Sequence, residues 1–405
     1  MINNIKATLK RQSFHGAIYV ENSNHFIADL QFGYQDINHS IPITEKTLFN
    51  IASLSKMYTA VLLLQLVEKK QVGLNDTLNT WFRSNTFKDV TIEQLLSHTS
   101  GIPEYTGNKQ IKNIEDILQI AEPDFLAGEG WFYSNTNYVL LAKIIEKETG
   151  LSYEECLQKM IALPLDLHYT TTNPNYEYIA VGKLFDYRFN KFIPLKDDPI
   201  FKQIDMHDFY GDGEIYSTAK EIAQFLKGFI QGKLIPHKLL KLALTPSMFN
   251  KNYGYGFVIG EDSFGHTGSW PGYSAYCHYS FNEEKLIVLL TNEEINPEYE
   301  QQIVTYLHQP SNSDEIFAPK HPKIIHLNDH KKMEGTYELV DEYKTRFTIR
   351  RAMDYFIISF ENQHDTNLFK ITPTLYWIRN TMSYINIEEN MFIDEGIKVP
   401  FIKKS

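Results

Sequence analysis

The stretch Asn50-Ile51-Ala52-Ser53-Leu54-Ser55-Lys56-Met57-Tyr58-Thr59-Ala60 decides how the rest of this 405-residue chain is read. Behind it runs Val61-Leu62-Leu63-Leu64-Gln65-Leu66-Val67-Glu68, apolar and free of Gly and Pro, which predicts a buried helix. Val72-Gly73 supplies the stop. With Ser53 at the start of that helix, Lys56 lies one turn on, on the same face. A serine hydroxyl is a weak nucleophile until a base takes its proton, and a lysine can be that base only as the free amine. A buried helix start with a second cation nearby pushes a lysine that way. The unpaired N–H groups of the first turn also suit an oxyanion formed when Ser53 attacks a carbonyl. Ser and Lys at this spacing also occur by chance, the serine as a cap and the lysine in water. The surrounding chain must decide between the two readings.

Upstream, Gly16–Val20 and Phe26–Gly33 read as two strands joined by a turn at Glu21–Asn24. Downstream, Thr91 caps a short helix to Leu96, Ser134 or Asn135 begins one closed by Gly150, and Ser152 begins one stopped by Pro164. Residues 170–210 lack periodicity and suggest a loop-rich cover over a groove. Ser217 or Thr218 with Glu221 predicts a capping box. Gly254–Ile259, Ala275–Ser280 and Leu286–Thr291 are strands, the last apolar throughout and so buried on both faces. They should pair antiparallel with the N-terminal hairpin, beside the helices of the middle of the chain, which is an α+β arrangement. Polar, Pro-punctuated residues 316–330 read as a linker between a domain at 1–315 and one at 331–405. In the latter, five short strands at 347–349, 355–360, 368–371, 375–378 and 384–387 predict a small β barrel or sandwich.

The formal net charge of -11 argues against nucleic acid and anionic membranes as partners. Cys156 and Cys277, far apart and without a C-x-x-C pattern, read as buried free thiols. No stretch has the length of a membrane span, and the first residues carry no secretion signal, so a cytoplasmic location is expected. Asp205, His207 and Asp208, like His321, His326 and His330, lack the spacing of a metal site, and no metal or cofactor is expected.

Three further pieces join Ser53 and Lys56: Tyr133-Ser134-Asn135, then His266-Thr267-Gly268-Ser269 just before a strand, in that order along the chain. Together they resemble the serine β-lactamase and penicillin-binding hydrolase superfamily, on its class C β-lactamase and DD-peptidase side. The resemblance spans roughly residues 10–295. It includes Leu95–Ile102 (with His98, read as a hydrogen-bonding loop residue), Tyr133–Tyr138 and Gly211–Ala219. It implies the β-lactamase/transpeptidase-like fold, an antiparallel sheet flanked by helices with a helical subdomain. The chain's end, opening at Glu334-Gly335-Thr336-Tyr337, resembles the lipocalin-like barrels appended to some of these hydrolases.

The same resemblance implies roles. Ser53 would be acylated, Lys56 and Tyr133 would share its proton, and Asn135 would orient Lys56 and bond a substrate amide. The N–H groups of Ser53 and Ser269 would hold the oxyanion, and Gly268 would let a substrate backbone approach closely. One departure stands out. Most β-lactamases and penicillin-binding proteins have Lys-Thr-Gly where this chain has His266-Thr267-Gly268. Lysine is a steady cation for a substrate carboxylate, whereas histidine is partly neutral near pH 7. The His form is similar to that of certain DD-carboxypeptidases, D-aminopeptidases and esterase-like members. It favours hydrolysis of a peptide, D-amino-acid amide or ester through an acyl-enzyme. β-Lactamase or DD-carboxypeptidase activity is the alternative, and a non-catalytic binding protein that kept the fold is the third reading.

Overall fold

A six-stranded antiparallel sheet brings together an N-terminal hairpin and four strands from late in the first 294 residues. The computed structural model describes all residues except Met1, Asn24, Asn85, 107–110, 187–190, 198–208, 310–332, 342–343, 353–354, 361–364, Asn380, Met382, Glu395 and Ser405. The linker at 316–330 and the histidines and aspartates set aside above (Asp205, His207, Asp208, His321, His326, His330) lie outside the described residues. After helix α1 (Ile2–Arg11) come β1 (Gly16–Asn22) and β2 (His25–Phe32). Late in the chain follow β3 (Val258–Ile259), β4 (Ser263–Trp270), β5 (Tyr273–Ser280) and β6 (Lys285–Thr291). Their order in the sheet is β2-β1-β6-β5-β4-β3. β6 is buried along its whole length and pairs with β1 from Gly16↔Thr291 to Asn22↔Lys285, as its continuous apolar run predicts.

Between the hairpin and the late strands lie the helices. α2 (Ser55–Glu68) is buried from Ser55 to Leu66 and packs against α4 (Asn135–Thr149), while α3 (Ile92–Leu96) also lies against α4. Thr91 caps α3 through a full capping box with Gln94, and Gly150 closes α4 in the left-handed conformation, φ 67°. α5 (Ala219–Ile230) buries Ile222, Phe225, Leu226 and Phe229 and packs on β1 and β6.

Several details differ from the sequence reading, among them a strand pair Lys183–Asp186 and Lys191–Pro194 in the stretch read as loop-rich, and eight barrel strands where five were expected. Pro164 does not stop the helix after Ser152, because a π turn at Gln158–Ala162 carries the chain through Leu163–Leu165. The Met160 carbonyl, which Pro164 cannot serve, accepts from Gln65 Nε2 at 3.0 Å. Thr218 caps α5, but the Glu221 carboxylate does not return to the cap. It binds the backbone N–H groups of His168 (2.6 Å) and Tyr169 (2.9 Å) instead. Only Val258–Ile259 of the expected 254–259 strand is extended, since Gly254 and Gly256 are pressed against other backbone. The His-Thr-Gly segment is not before a strand but inside one, β4.

Two compact units result. One comprises most residues to Glu294, and the other Ile295–Ser405 with two short earlier segments, so that helix Pro297–His308 groups with the second. The second unit contains a closed antiparallel barrel of eight strands taken in chain order, from Gly335–Leu339 to Ile397–Lys403. The barrel closes through Tyr337↔Lys403 and Leu339↔Phe401. Its interior is filled by Tyr337, Phe347, Phe356, Ile358, Leu368, Tyr376 and Phe401 among others, as an eight-strand barrel permits. No helix among the described residues is long and apolar enough to cross a membrane.

Candidate active site

Ser53 stands on a pinned, sharply turned segment. The short strand Phe49–Asn50 pairs with Tyr216–Ser217, and Ile51 N–H donates to the Ile215 carbonyl at 2.9 Å. Asn50 Oδ1 accepts from Ala52 N–H at 2.8 Å, and Ala52 takes φ 47°, in the left-handed region. The chain therefore reverses into a 3-10 turn at Ala52–Leu54, with Ala52 and Leu54 buried and Ser53 half-buried at its crest. Ser53 is thus in the turn before the α-helix and not in its first residues. Lys56, fully buried in α2, donates to Ser53 Oγ at 3.1 Å and to the Asp212 carbonyl at 2.7 Å. Those are its hydrogen bonds among the described residues, so its second anchor is Asp212 and not Asn135.

The loop carrying Asp212 is fastened to α2 by Thr59 Oγ1, which donates to the Gly211 carbonyl at 2.6 Å, and by Ile215 N–H, which donates to Ser55 Oγ at 3.2 Å. The Glu214 carboxyl closes it, accepting from Gly211 N–H (2.7 Å) and Gly213 N–H (3.0 Å). Burial, with the Asp212 carboxyl adding to it, pushes Glu214 up to about 7. Asp212 is also raised by burial, against the pull of the Lys56 charge.

The Tyr133 ring lies 5.1 Å from Lys56 Nζ and 4.5 Å from the His98 ring, with the Tyr253 ring meeting it edge-on at 5.9 Å. Its hydroxyl has no hydrogen bond among the described residues, and the residue is half-buried. Asn135 opens α4, where Ser134 gives no side-chain cap. Glu104 supplies the missing acceptor, taking Asn135 N–H at 2.5 Å, a carboxylate at the positive end of a helix. His98 behaves as a buried loop fastener, its Nδ1 accepting from Ser134 N–H at 3.2 Å and lying 3.1 Å from Asn137 Nδ2.

Along β4, His266 and Gly268 are buried while Thr267 and Ser269 are exposed, the alternation of a strand. A Cβ on Gly268 would lie 2.5 Å from the Ile51 carbonyl oxygen and 3.2 Å from Ala52 Cβ and Leu54 Cδ1. The glycine is therefore needed for the strand to press on the Ser53 turn. Ser269 follows it on the same strand, at an exposed position. His266 is held down to about 3, chiefly by burial and then by the charge of Lys56. His98 is lowered for the same reasons. Neither histidine is the second cation expected beside Lys56.

Tyr253, Glu104 and Asp212 were not singled out as site residues by sequence reasoning. Glu104 follows the Leu95–Ile102 block and Asp212 lies inside Gly211–Ala219, so both were within reach of the block pattern. Tyr253 carried a weaker signal: it precedes two glycines, and Gly256, φ 79°, would place a Cβ 2.8 Å from the Lys56 carbonyl oxygen.

The family model described as Beta-lactamase matches residues 1–309. The chain belongs to the Beta-lactamase family. Among its relatives, "Penicillin-binding protein 4*" of Bacillus subtilis is 28% identical over 97% of this chain and 93% of its own. "Teichoic acid D-alanine hydrolase" of Staphylococcus aureus is 26% identical over 72% of this chain and 73% of its own. In structure, D-amino acid amidase from Ochrobactrum anthropi has the same fold, with a TM-score of 0.59 at 23% identity over 72% of this chain and 92% of its own. Family and relatives mark this Beta-lactamase family member as a hydrolase of the β-lactamase and penicillin-binding protein superfamily.

Proposed function

We propose that the chain is a serine hydrolase working through an acyl-enzyme on an ester or amide of a D-amino acid or short peptide. The observation that carries this reading is the buried Lys56 amine 3.1 Å from the half-exposed Ser53 hydroxyl. When Lys56 is in its free-amine form, Ser53 Oγ attacks the substrate carbonyl while its proton passes to the Lys56 nitrogen. The tetrahedral oxyanion sits between the backbone N–H groups of Ser53 and Ser269. As the carbonyl–heteroatom bond breaks, Tyr133 protonates the leaving group and is reprotonated through Lys56. Water then repeats the attack on the acyl-enzyme and releases Ser53. Asn135 bonds the substrate amide.

The neutral state of His266 supports the choice of substrate. A buried imidazole held at about 3 offers no cation to a terminal carboxylate, which disfavours β-lactams and D-Ala-D-Ala peptides. The relative named for teichoic acid D-alanine hydrolysis agrees with a D-alanyl substrate. The test compares kcat/KM for D-alanine methyl ester, D-alaninamide, a D-Ala-D-Ala peptide and nitrocefin. The ester or amide should be fastest. Fastest turnover of nitrocefin or of the peptide would establish the lactamase or carboxypeptidase reading instead. No turnover of any of them by a chain whose Ser53 resists acylation would leave a binding protein. The two cysteines are buried and free, which fits a reducing cytoplasm, and recovery of the protein outside the cell on fractionation would overturn that placement.

A further inference from the structure

A line of hydrogen bonds runs through the site and is fixed at both ends by backbone groups. At one end, the Ser134 N–H can only donate, so His98 Nδ1, 3.2 Å away, is an acceptor. A neutral His98 then carries its proton on Nε2, which faces the Tyr253 hydroxyl at 3.3 Å. At the other end, the Thr267 carbonyl can only accept, so His266 Nδ1, 2.6 Å away, carries a proton. His266 Nε2 then holds a lone pair and faces the same Tyr253 hydroxyl at 3.2 Å. Tyr253 is buried and keeps its proton, being raised well above the ordinary tyrosine range by burial. With the neighbouring Tyr138 hydroxyl donating to the Leu96 carbonyl at 2.8 Å, one arrangement satisfies His98, Tyr253 and His266 with both histidines neutral: His98 Nε2–H to Tyr253 Oη, Tyr253 O–H to His266 Nε2, and His266 Nδ1–H to Thr267 O.

We propose that Tyr253 is a positioning residue of this site, whose hydroxyl ties His98 behind Tyr133 to His266 on β4 and holds His266 as the neutral Nδ1–H tautomer. The consequence is mechanical and chemical. β4 is braced where it presses on the Ser53 turn, and the His266 ring is neither a base nor a carboxylate-binding cation. Protonating His266 would put a second donor on the Tyr253 oxygen and break the Tyr253-to-His266 bond. The titratable groups facing His266 are Lys56, His98, Tyr133, Tyr253 and, across the β4–β5 pair, Cys277, whose thiol is raised to about 12 by burial. Lys56 alone among them would bring a charge, and a cation there further opposes an imidazolium.

Only the kinetic consequence rests on the serine-hydrolase reading. The test is nitrogen NMR of the full chain labelled with 15N-histidine, from pH 5 to 8, with His98→Gln and His266→Gln as assignment controls. Wild type should show opposite tautomers, protonated Nε2 for His98 and protonated Nδ1 for His266, and neither should titrate. In Tyr253→Phe, which keeps the ring, His98 Nε2–H should lose its acceptor and exchange faster with water. His266 Nε2 should lose its hydrogen-bonded shift. The rate of Ser53 acylation by a fluorophosphonate should fall about 10-fold, with the half-saturating concentration within twofold of wild type. His266 titrating between pH 5 and 8 in wild type, or protonated on Nε2, would overturn the proposal. So would a folded Tyr253→Phe with wild-type spectra or a wild-type acylation rate. A wild-type protein that no fluorophosphonate labels would remove the hydrolase reading while the spectra still decide the tautomers.

Discussion

Replacing Gly268 by alanine tests the packing of strand on nucleophile turn. The new Cβ would start 2.5 Å from the Ile51 carbonyl oxygen, with Ala52 Cβ and Leu54 Cδ1 both 3.2 Å away. An ordinary contact of this kind begins near 3.4 Å, so the strand and the turn must part by about 1 Å. Neither side yields easily, since the turn is pinned by Asn50 and Ile215 and the strand is paired with β5. Overpacking of this size costs about 1–3 kcal/mol of stability. A displacement of about 1 Å between Ser53 and the Ser269 N–H costs about 100-fold in rate. The assay is kcat/KM on the ester that the wild type turns over, with thermal unfolding measured alongside. Gly213→Ala is the control, because its Cβ would meet the same Ala52 backbone only at 3.8 Å and its backbone is unstrained. Gly268→Ala should lose about two orders of magnitude in kcat/KM while remaining folded, and Gly213→Ala should stay within a fewfold. Wild-type activity in Gly268→Ala, or equal losses in both, would refute the reasoning.

Three other outcomes follow from the geometry. Lys56→Met keeps the volume of the side chain but removes the group at 3.1 Å from Ser53 Oγ, so the acylation rate measured by stopped-flow with a fluorophosphonate should drop about 10²–10⁴-fold. Glu104→Ala removes the acceptor of Asn135 N–H at the start of α4 and should lower the unfolding free energy in urea by about 1 kcal/mol. Glu214 governs a pH dependence whose sign is set by its raised value: about 7 in the folded chain against 4.5 for an ordinary glutamate. The folded state holds that proton more tightly, so its contribution is fully present below pH 4.5 and is lost as pH rises through 7, a difference of about 3 kcal/mol. Urea midpoints measured every half unit between pH 4.5 and 8 should fall by less in Glu214→Gln than in wild type. Parallel curves would refute the assignment.

The parts of this fold that lean on strong local rules were legible from residues alone. The continuous apolar run of β6, the Thr91 and Ser152 caps and the closing Gly150 each determine their element with little help from distant residues. The Ser53–Lys56 pair was legible because one helical turn brings those side chains together. What was missed depends on long-range contacts. The last two barrel strands, Met391–Asp394 and Ile397–Lys403, are short or lie at the chain's end and bury little: Phe401 is buried, and Phe392 and Val399 are only partly covered. They exist because pairing with neighbours closes the barrel. Asp212 holds Lys56 through its backbone carbonyl, which no side-chain pattern reveals. Gly268 was noticed, but its packing could not be read, because the Ile51 carbonyl that forbids a side chain is over two hundred residues away in sequence. The state of His266 needed its burial beside Lys56 to be known.

The central claim is that Ser53 is a nucleophile activated by Lys56. Intact-protein mass spectrometry after incubation with a fluorophosphonate tests it most directly, with Ser53→Ala and Lys56→Met alongside. One adduct per wild-type chain, mapping to Ser53, absent from Ser53→Ala and slow to form in Lys56→Met, is the predicted result. An adduct on another residue, or labelling of Ser53 at an unchanged rate without Lys56, would contradict the account.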